Sequence, residues 1–160
     1  MDKVIIGLVS IDTILLGVGT DGEEQVRRLA EETVDVAGPC EAEVVLTHVF
    51  TEEALEESRK RLNIEPGSED ATPDGVAKRH ATIRDLADVM EDAGVDYRVR
   101  GAVGEHGQAI ADLAEEVTAD RVVVGGRKRS PTGKAVFGSV AQTVMLSSPC
   151  PVTFVREDTR

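Results

Sequence analysis

Arg127, Lys128, Arg129 and Lys134 fall within one segment, GGRKRSPTGKAVFGS (Gly125–Ser139), which also holds four glycines, a proline and no acid. Cations supply donors and charge to phosphate or carboxylate groups. Glycines let a ligand approach the backbone closely. Gly138-Ser139 reads as the opening of a helix, where free N–H groups and the helix dipole favour an anion. The chemistry this pattern points to is anion recognition, with the phosphate of a small molecule as the natural ligand. A solvated basic loop that merely offsets acid elsewhere is the plainer alternative.

The setting of the segment sharpens the point. The 160-residue chain carries 30 acids against 18 Lys plus Arg, a formal net charge of -12. Of the 30 acids, 28 lie at or before Asp120, and residues 121–156 hold six cations and no acid. So acidic a chain repels nucleic acid and anionic membranes. With aromatic residues at 2%, it also lacks a base-stacking platform for single strands. High acid with only five lysines is expected of a protein working in concentrated salt, and an ordinary acidic cytoplasmic protein is the alternative. In molar salt the screening length is about 3 Å, so affinity must come from direct contacts.

Other motifs match in part. Gly17-Val18-Gly19-Thr20-Asp21-Gly22 satisfies G-x-G-x-x-G, the dinucleotide fingerprint, and opens an NAD-type oxidoreductase as an alternative. The acid expected some 20 residues later falls at Glu41 or Glu43, with Glu52 as a late candidate. Gly133-Lys134 fails as a Walker loop, since Lys128 and Ala135 stand where Gly and Ser or Thr are needed. His48, His80 and His106 show no metal-ligand spacing. His80 reads as the margin of an apolar helix stripe, and His106 as a helix-start residue. Cys40 and Cys150 form no CxxC and read as small half-buried side chains in a reducing compartment.

The elements that must position these residues alternate in type. Strands are expected at Thr13–Val18, Glu43–Phe50, Asp96–Val103, Arg121–Val124 and Val152–Val155. Helices are expected at 22–36 with Val26, Leu29, Ala30, Thr33 and Ala37 inward, at 77–93, through Ile110, Leu113, Ala114 and Val117, and from Ser139. Repeated strand-helix order implies a parallel sheet with helices on both faces, and strands such as VVV lack alternation because both faces are covered. The fold class is therefore α/β, a three-layer doubly wound domain. Its ligand site is expected beyond the carboxyl ends of the strands. Residues 51–74 interrupt the pattern with a short helix and an acidic, turn-rich stretch, expected as a mobile surface loop. Residues 1–12 are expected as an N-terminal extension or edge strand (Val4–Ile11) and 13–157 as one domain. Asp12 interrupts the first apolar run, so a membrane span is not expected, and with no basic n-region followed by a clear small-residue cleavage site a signal peptide is not expected either.

Gly125–Ser139, together with SSPCPVTFV, LTHV (Leu46–Val49) and ADRVVVGG, resembles the universal stress protein family over Thr13–Arg156. The family carries G-x2-G-x9-G-[ST] after its fourth strand, and Gly125, Gly138 and Ser139 match it. The second motif glycine is Lys128 here, and the family's acid at the end of strand one is Gly19, with Asp21 two places on. The resemblance implies a five-stranded parallel sheet in the order 3-2-1-4-5 and a cytoplasmic, stress-related homodimer built through Pro151–Val155. It implies ATP, ADP or AMP as ligand, with Mg as a companion ion and slow ATP hydrolysis at most. Carried over residue by residue, Gly125, Gly138, Ser139 and Val140 would contact phosphates, and Val49 would meet adenine through its main chain. Gly126, Arg127, Lys128 and Arg129 would lie near ribose or phosphates, with Gly19 and Asp21 at the end of strand one. A dimeric interaction module that works without nucleotide is a further alternative.

Overall fold

The computed structural model describes residues 10–19, 23–126 and 138–156. Five strands form one parallel sheet in the order β3-β2-β1-β4-β5. They are β1 (Thr13–Val18), β2 (Glu43–Phe50), β3 (Tyr97–Val103), β4 (Arg121–Gly126) and β5 (Val152–Arg156). The helices are α1 (Glu23–Cys40), α2 (Glu52–Arg61), α3 (Pro73–Lys78), α4 (Ala81–Asp92), α5 (His106–Glu116) and α6 (Ser139–Ser147). The expected fold class and strand order both hold.

Register follows from burial. β1 runs beside β2 with Leu15 opposite Val45, and beside β4 with Leu15 opposite Val122. Alternate residues of β1 feed opposite layers. Ile14, Leu16 and Val18 pack with Leu29 and Ala30 of α1 and with Ile83, Leu86 and Met90 of α4. Leu15 packs with Ile110, Leu113 and Ala114 of α5 and with Ala141 and Val144 of α6. Both faces are covered, which is why the central strands read as unbroken apolar runs. At the amino end, the Asp120 carboxylate accepts hydrogen bonds from the Asp12 and Thr13 amides at 2.8 and 3.0 Å and moors β1 to β4.

Three elements differ from the sequence expectation. α1 continues past Val36 to Cys40 because Ala37 is itself buried. It stops where Glu41 turns to φ 54, and the Ala42 and Glu41 amides return to the Ala37 and Gly38 carbonyls. This is a Schellman ending. The helix expected over 77–93 is two helices, α3 and α4, broken at Arg79 and His80. Residues 51–74 contain the expected short helix, but the turn-rich stretch after it is not a loose loop. They fold as α2, a single 3-10 turn (Glu69–Ala71) and the start of α3 around a small core of Phe50, Leu55, Val76 and Ala77. Arg59 Nε donates to the Ala71 carbonyl at 2.7 Å and braces the turn. The expected strand at Val4–Ile11 falls mostly outside the described residues, and Ser10–Asp12 carry no strand.

α3 lies against β3, an edge strand that needs cover. The Asp74 carboxylate accepts a hydrogen bond from the Gly101 amide at 2.7 Å. Any Cβ at position 101 would run into the backbone of Pro73. Backbone on backbone leaves nothing flexible to yield. Gly101→Ala is therefore expected to lower unfolding stability by ~2–3 kcal/mol, the cost of overpacking a rigid contact. Urea titration reads it, and an unchanged midpoint would show that α3 does not hold this position.

Candidate functional site

The strand order changes direction between β1 and β4, so ligand chemistry is expected beyond their carboxyl ends. The structure brings several candidate residues there. Gly19 follows β1, and Gly125 and Gly126 end β4. Val49 sits near the carboxyl end of β2. It is 2% exposed, with its side chain in the core, so only its main chain could address a ligand. Gly138 is the N-cap of α6, and Ser139 and Val140 form its exposed first turn. Asp21, Arg127, Lys128 and Arg129 lie outside the described residues.

Two glycines bring this site together. A Cβ on Gly107, in the first turn of α5, would fall 2.6 Å from Thr143 Cβ and 3.0 Å from the Val140 carbonyl oxygen. The first turns of α5 and α6 touch because Gly107 has no side chain. A Cβ on Gly126 would run into the Phe154 ring, so β5 closes over the end of β4 at that residue.

The two helix starts differ electrostatically. At α5 the Glu105 carboxylate accepts from the Gly107 and Gln108 amides at 3.2 and 2.9 Å, so that terminus carries its own anion. The cap there is Glu105, with His106 as the first helical residue. At α6 the cap is Gly138, with φ -61 and ψ 155, and it makes no side-chain cap hydrogen bond. A helix start capped by glycine leaves amide hydrogens for an external anion.

The dinucleotide reading loses its geometry. Gly17 lies inside β1, paired with Thr47 and Val124, and a Cβ there would press on Ile110 at 3.0 Å. Its glycine is explained by close packing of α5, with no turn involved. Glu41 ends α1, and Glu43 pairs with Arg98 at 2.9 Å at the amino end of β2, opposite to where a ribose would bind. A cavity of about 890 Å³ opens between α2 and the 63–73 segment, lined by Arg59, Ile64 and Pro73 among others, and no candidate residue lines it.

One feature of this end was not expressed in residue spacing. The His48 ring stacks on His80 with centroids 4.0 Å apart and meets the Phe50 ring edge-on at 4.5 Å. His80 is the N-cap residue of α4, off the apolar stripe where its spacing had placed it. Burial, then the nearby His80 and His106, lowers the His48 pKa from 6.5 to about 4. His80 is lowered by burial and by Arg61.

Between those two values the unfolded chain holds a proton on His48 that the folded chain does not. Stability is therefore complete above pH 6.5 and falls as pH drops towards about 4. At this partly solvated site the loss is roughly 2 kcal/mol. Unfolding midpoints measured from pH 7 to pH 4 should fall less steeply in His48→Gln than in the parent. Equal slopes would show that His48 titrates normally.

Comparison with known proteins gives the context for this geometry. The model of the universal stress protein family matches residues 12–156. A universal stress protein of Mycolicibacterium smegmatis is 32% identical over 110 residues, 66% of this chain and 85% of that one. A universal stress protein structure from Archaeoglobus fulgidus superposes with a TM-score of 0.67 at 25% identity, over 90% of this chain and 98% of that one. Another from Archaeoglobus fulgidus, solved in complex with dAMP, gives 0.62 at 19% identity over 92% and 99%. A family protein from Arabidopsis thaliana with AMP bound gives 0.61 at 15% identity over 92% and 93%. With nine-tenths of its length matched and the strand order in agreement, the chain belongs to the universal stress protein family.

Proposed function

We propose that the chain is a stress-response protein that binds an adenine nucleotide, ATP, ADP or AMP, at the carboxyl ends of β1, β2 and β4. The observation that carries the reading is the glycine-capped start of α6, taken with Gly125 and Gly126 at the end of β4, next to the switch point of the sheet. Phosphate oxygens would accept from the amides of Gly138, Ser139 and Val140 and from the Ser139 hydroxyl. The main chain of Val49 would receive the adenine. Arg127, Lys128 and Arg129 would add charge, Lys128 supplying an ammonium where family members have a glycine. Gly19 and Asp21 would close the ribose side. The adenine ligands of the dAMP and AMP complexes support the class of ligand.

Among the described residues no group of three or more His, Cys, Asp or Glu side chains is placed to hold a metal ion. Mg would then arrive with the phosphates of a nucleotide. A cytoplasmic location fits a chain whose described helices are all too short or too polar to cross a membrane.

Calorimetric titration with ADP in high salt tests the reading. Gly138→Val places a branched side chain at the α6 cap and is expected to weaken binding at least tenfold, with the fold intact by circular dichroism. Equal affinity would move the ligand elsewhere.

A homodimer through Pro151–Val155 is part of the same proposal. β5 lies at the sheet edge and pairs only with β4 among the described residues, and Leu146 of α6 is 80% exposed. An open strand edge beside apolar surface calls for a partner. Sedimentation equilibrium should return twice the 17.1 kDa chain mass, and a value of 17.1 kDa would remove the dimer.

A further inference from the structure

We propose that the His48–His80 stack is an acid-sensitive latch that closes the neck of the excursion spanning residues 51–80. The chain leaves the sheet at Phe50, builds α2, the 3-10 turn and α3, and returns at His80 before α4. Its departure and its return are clasped by three rings, those of His48, Phe50 and His80. Inside, a small core of Phe50, Leu55, Val76 and Ala77 is separate from the two main cores. An excursion with its own small core, held to the sheet by this clasp and by the α3 contacts of Pro73 and Asp74 with β3, is a natural unit for local opening.

Among the described residues, the charges that act on this clasp oppose its protonation. The Nδ1 atoms of His48 and His80 are buried and have no hydrogen-bond partner among the described residues. The charges that act on the pair are basic: His106 from α5 on His48, and Arg61 from α2 on His80. From α3, the Asp74 carboxylate is committed to the Gly101 amide at 2.7 Å and to Arg100 at 3.5 Å. On the sheet, His48 is flanked in register by Val18 and Gly101, which carry no charge. His80 also caps α4, where a cation opposes the helix dipole. Two cofacial imidazoles that both carry a proton repel each other across this 4.0 Å stack. The depressed titration of both rings agrees with this geometry.

Opening would free the segment next to Val49, and so alter the base-side wall of the proposed nucleotide site. That consequence rests on the nucleotide reading, whereas the latch does not. The test is therefore run without nucleotide.

Hydrogen–deuterium exchange of the full chain, corrected for intrinsic rates, is compared at pH 7 and pH 4. Peptides from 51–80 should exchange at least tenfold faster at pH 4 while those of β1 and β4 stay protected. His80→Phe keeps a flat ring over His48, removes one titration and offers a π-face to a protonated partner, so it should abolish the acceleration. His48→Phe serves the same purpose if the first variant folds poorly. Unchanged exchange of 51–80, acceleration spread evenly over the whole chain, or variants as acid-responsive as the parent would each overturn the latch.

Discussion

Complete burial of β1 constrains everything else in the molecule. Ile14, Leu15 and Leu16 have no exposed surface, so both faces of the strand must be covered by apolar side chains. Covering both faces of a parallel sheet requires helical crossovers, and these return each chain segment to the amino end of the next strand. Polar chemistry is thereby confined to the strand ends. At the amino end Asp120 moors β1. At the carboxyl end the backbone of β1 and β4 opens towards solvent, and the α6 start stands there with its glycine cap.

Close approach, and not side-chain reach, assembles that end. Gly17 admits Ile110, Gly107 admits α6, and Gly126 admits Phe154. Each is a place where a methyl group would hold two elements apart. The same logic recurs at Gly101, where α3 sits on β3. Amide hydrogens and cations suit a protein whose net charge of -12 would repel a nucleotide at long range. Direct contact also survives the screening of concentrated salt.

The sheet was legible because apolar runs such as VVL and VVV can be buried only as internal parallel strands. Their boundaries were read to within one or two residues. The anion-site expectation came from the clustering of cations and glycines after β4, most of which lies outside the described residues. What failed depended on tertiary contact. α1 runs on past Val36 because Ala37 meets the core, and neither Gly38 nor Pro39 ends it before that contact is made. The 77–93 helix breaks at Arg79 and His80, where the His80 ring stacks on His48, a contact that the local pattern does not encode. The short helix within 51–74 was legible, but the stretch after it has the composition of a loop, and packing around Leu55 and Val76 uses too few apolar residues to register as a core in the sequence. The His48–His80 contact joins residues 32 positions apart, and no spacing rule signals it.

The central claim is that the glycine-capped start of α6 and the ends of β2 and β4 receive an adenine nucleotide. Backbone amide NMR during titration with ADP in high salt addresses it most directly. Chemical-shift changes concentrated at Val49, Gly125, Gly126, Gly138, Ser139 and Val140 are the result predicted. Changes confined to the cavity between α2 and residues 63–73, or no change at saturating ADP, would contradict it.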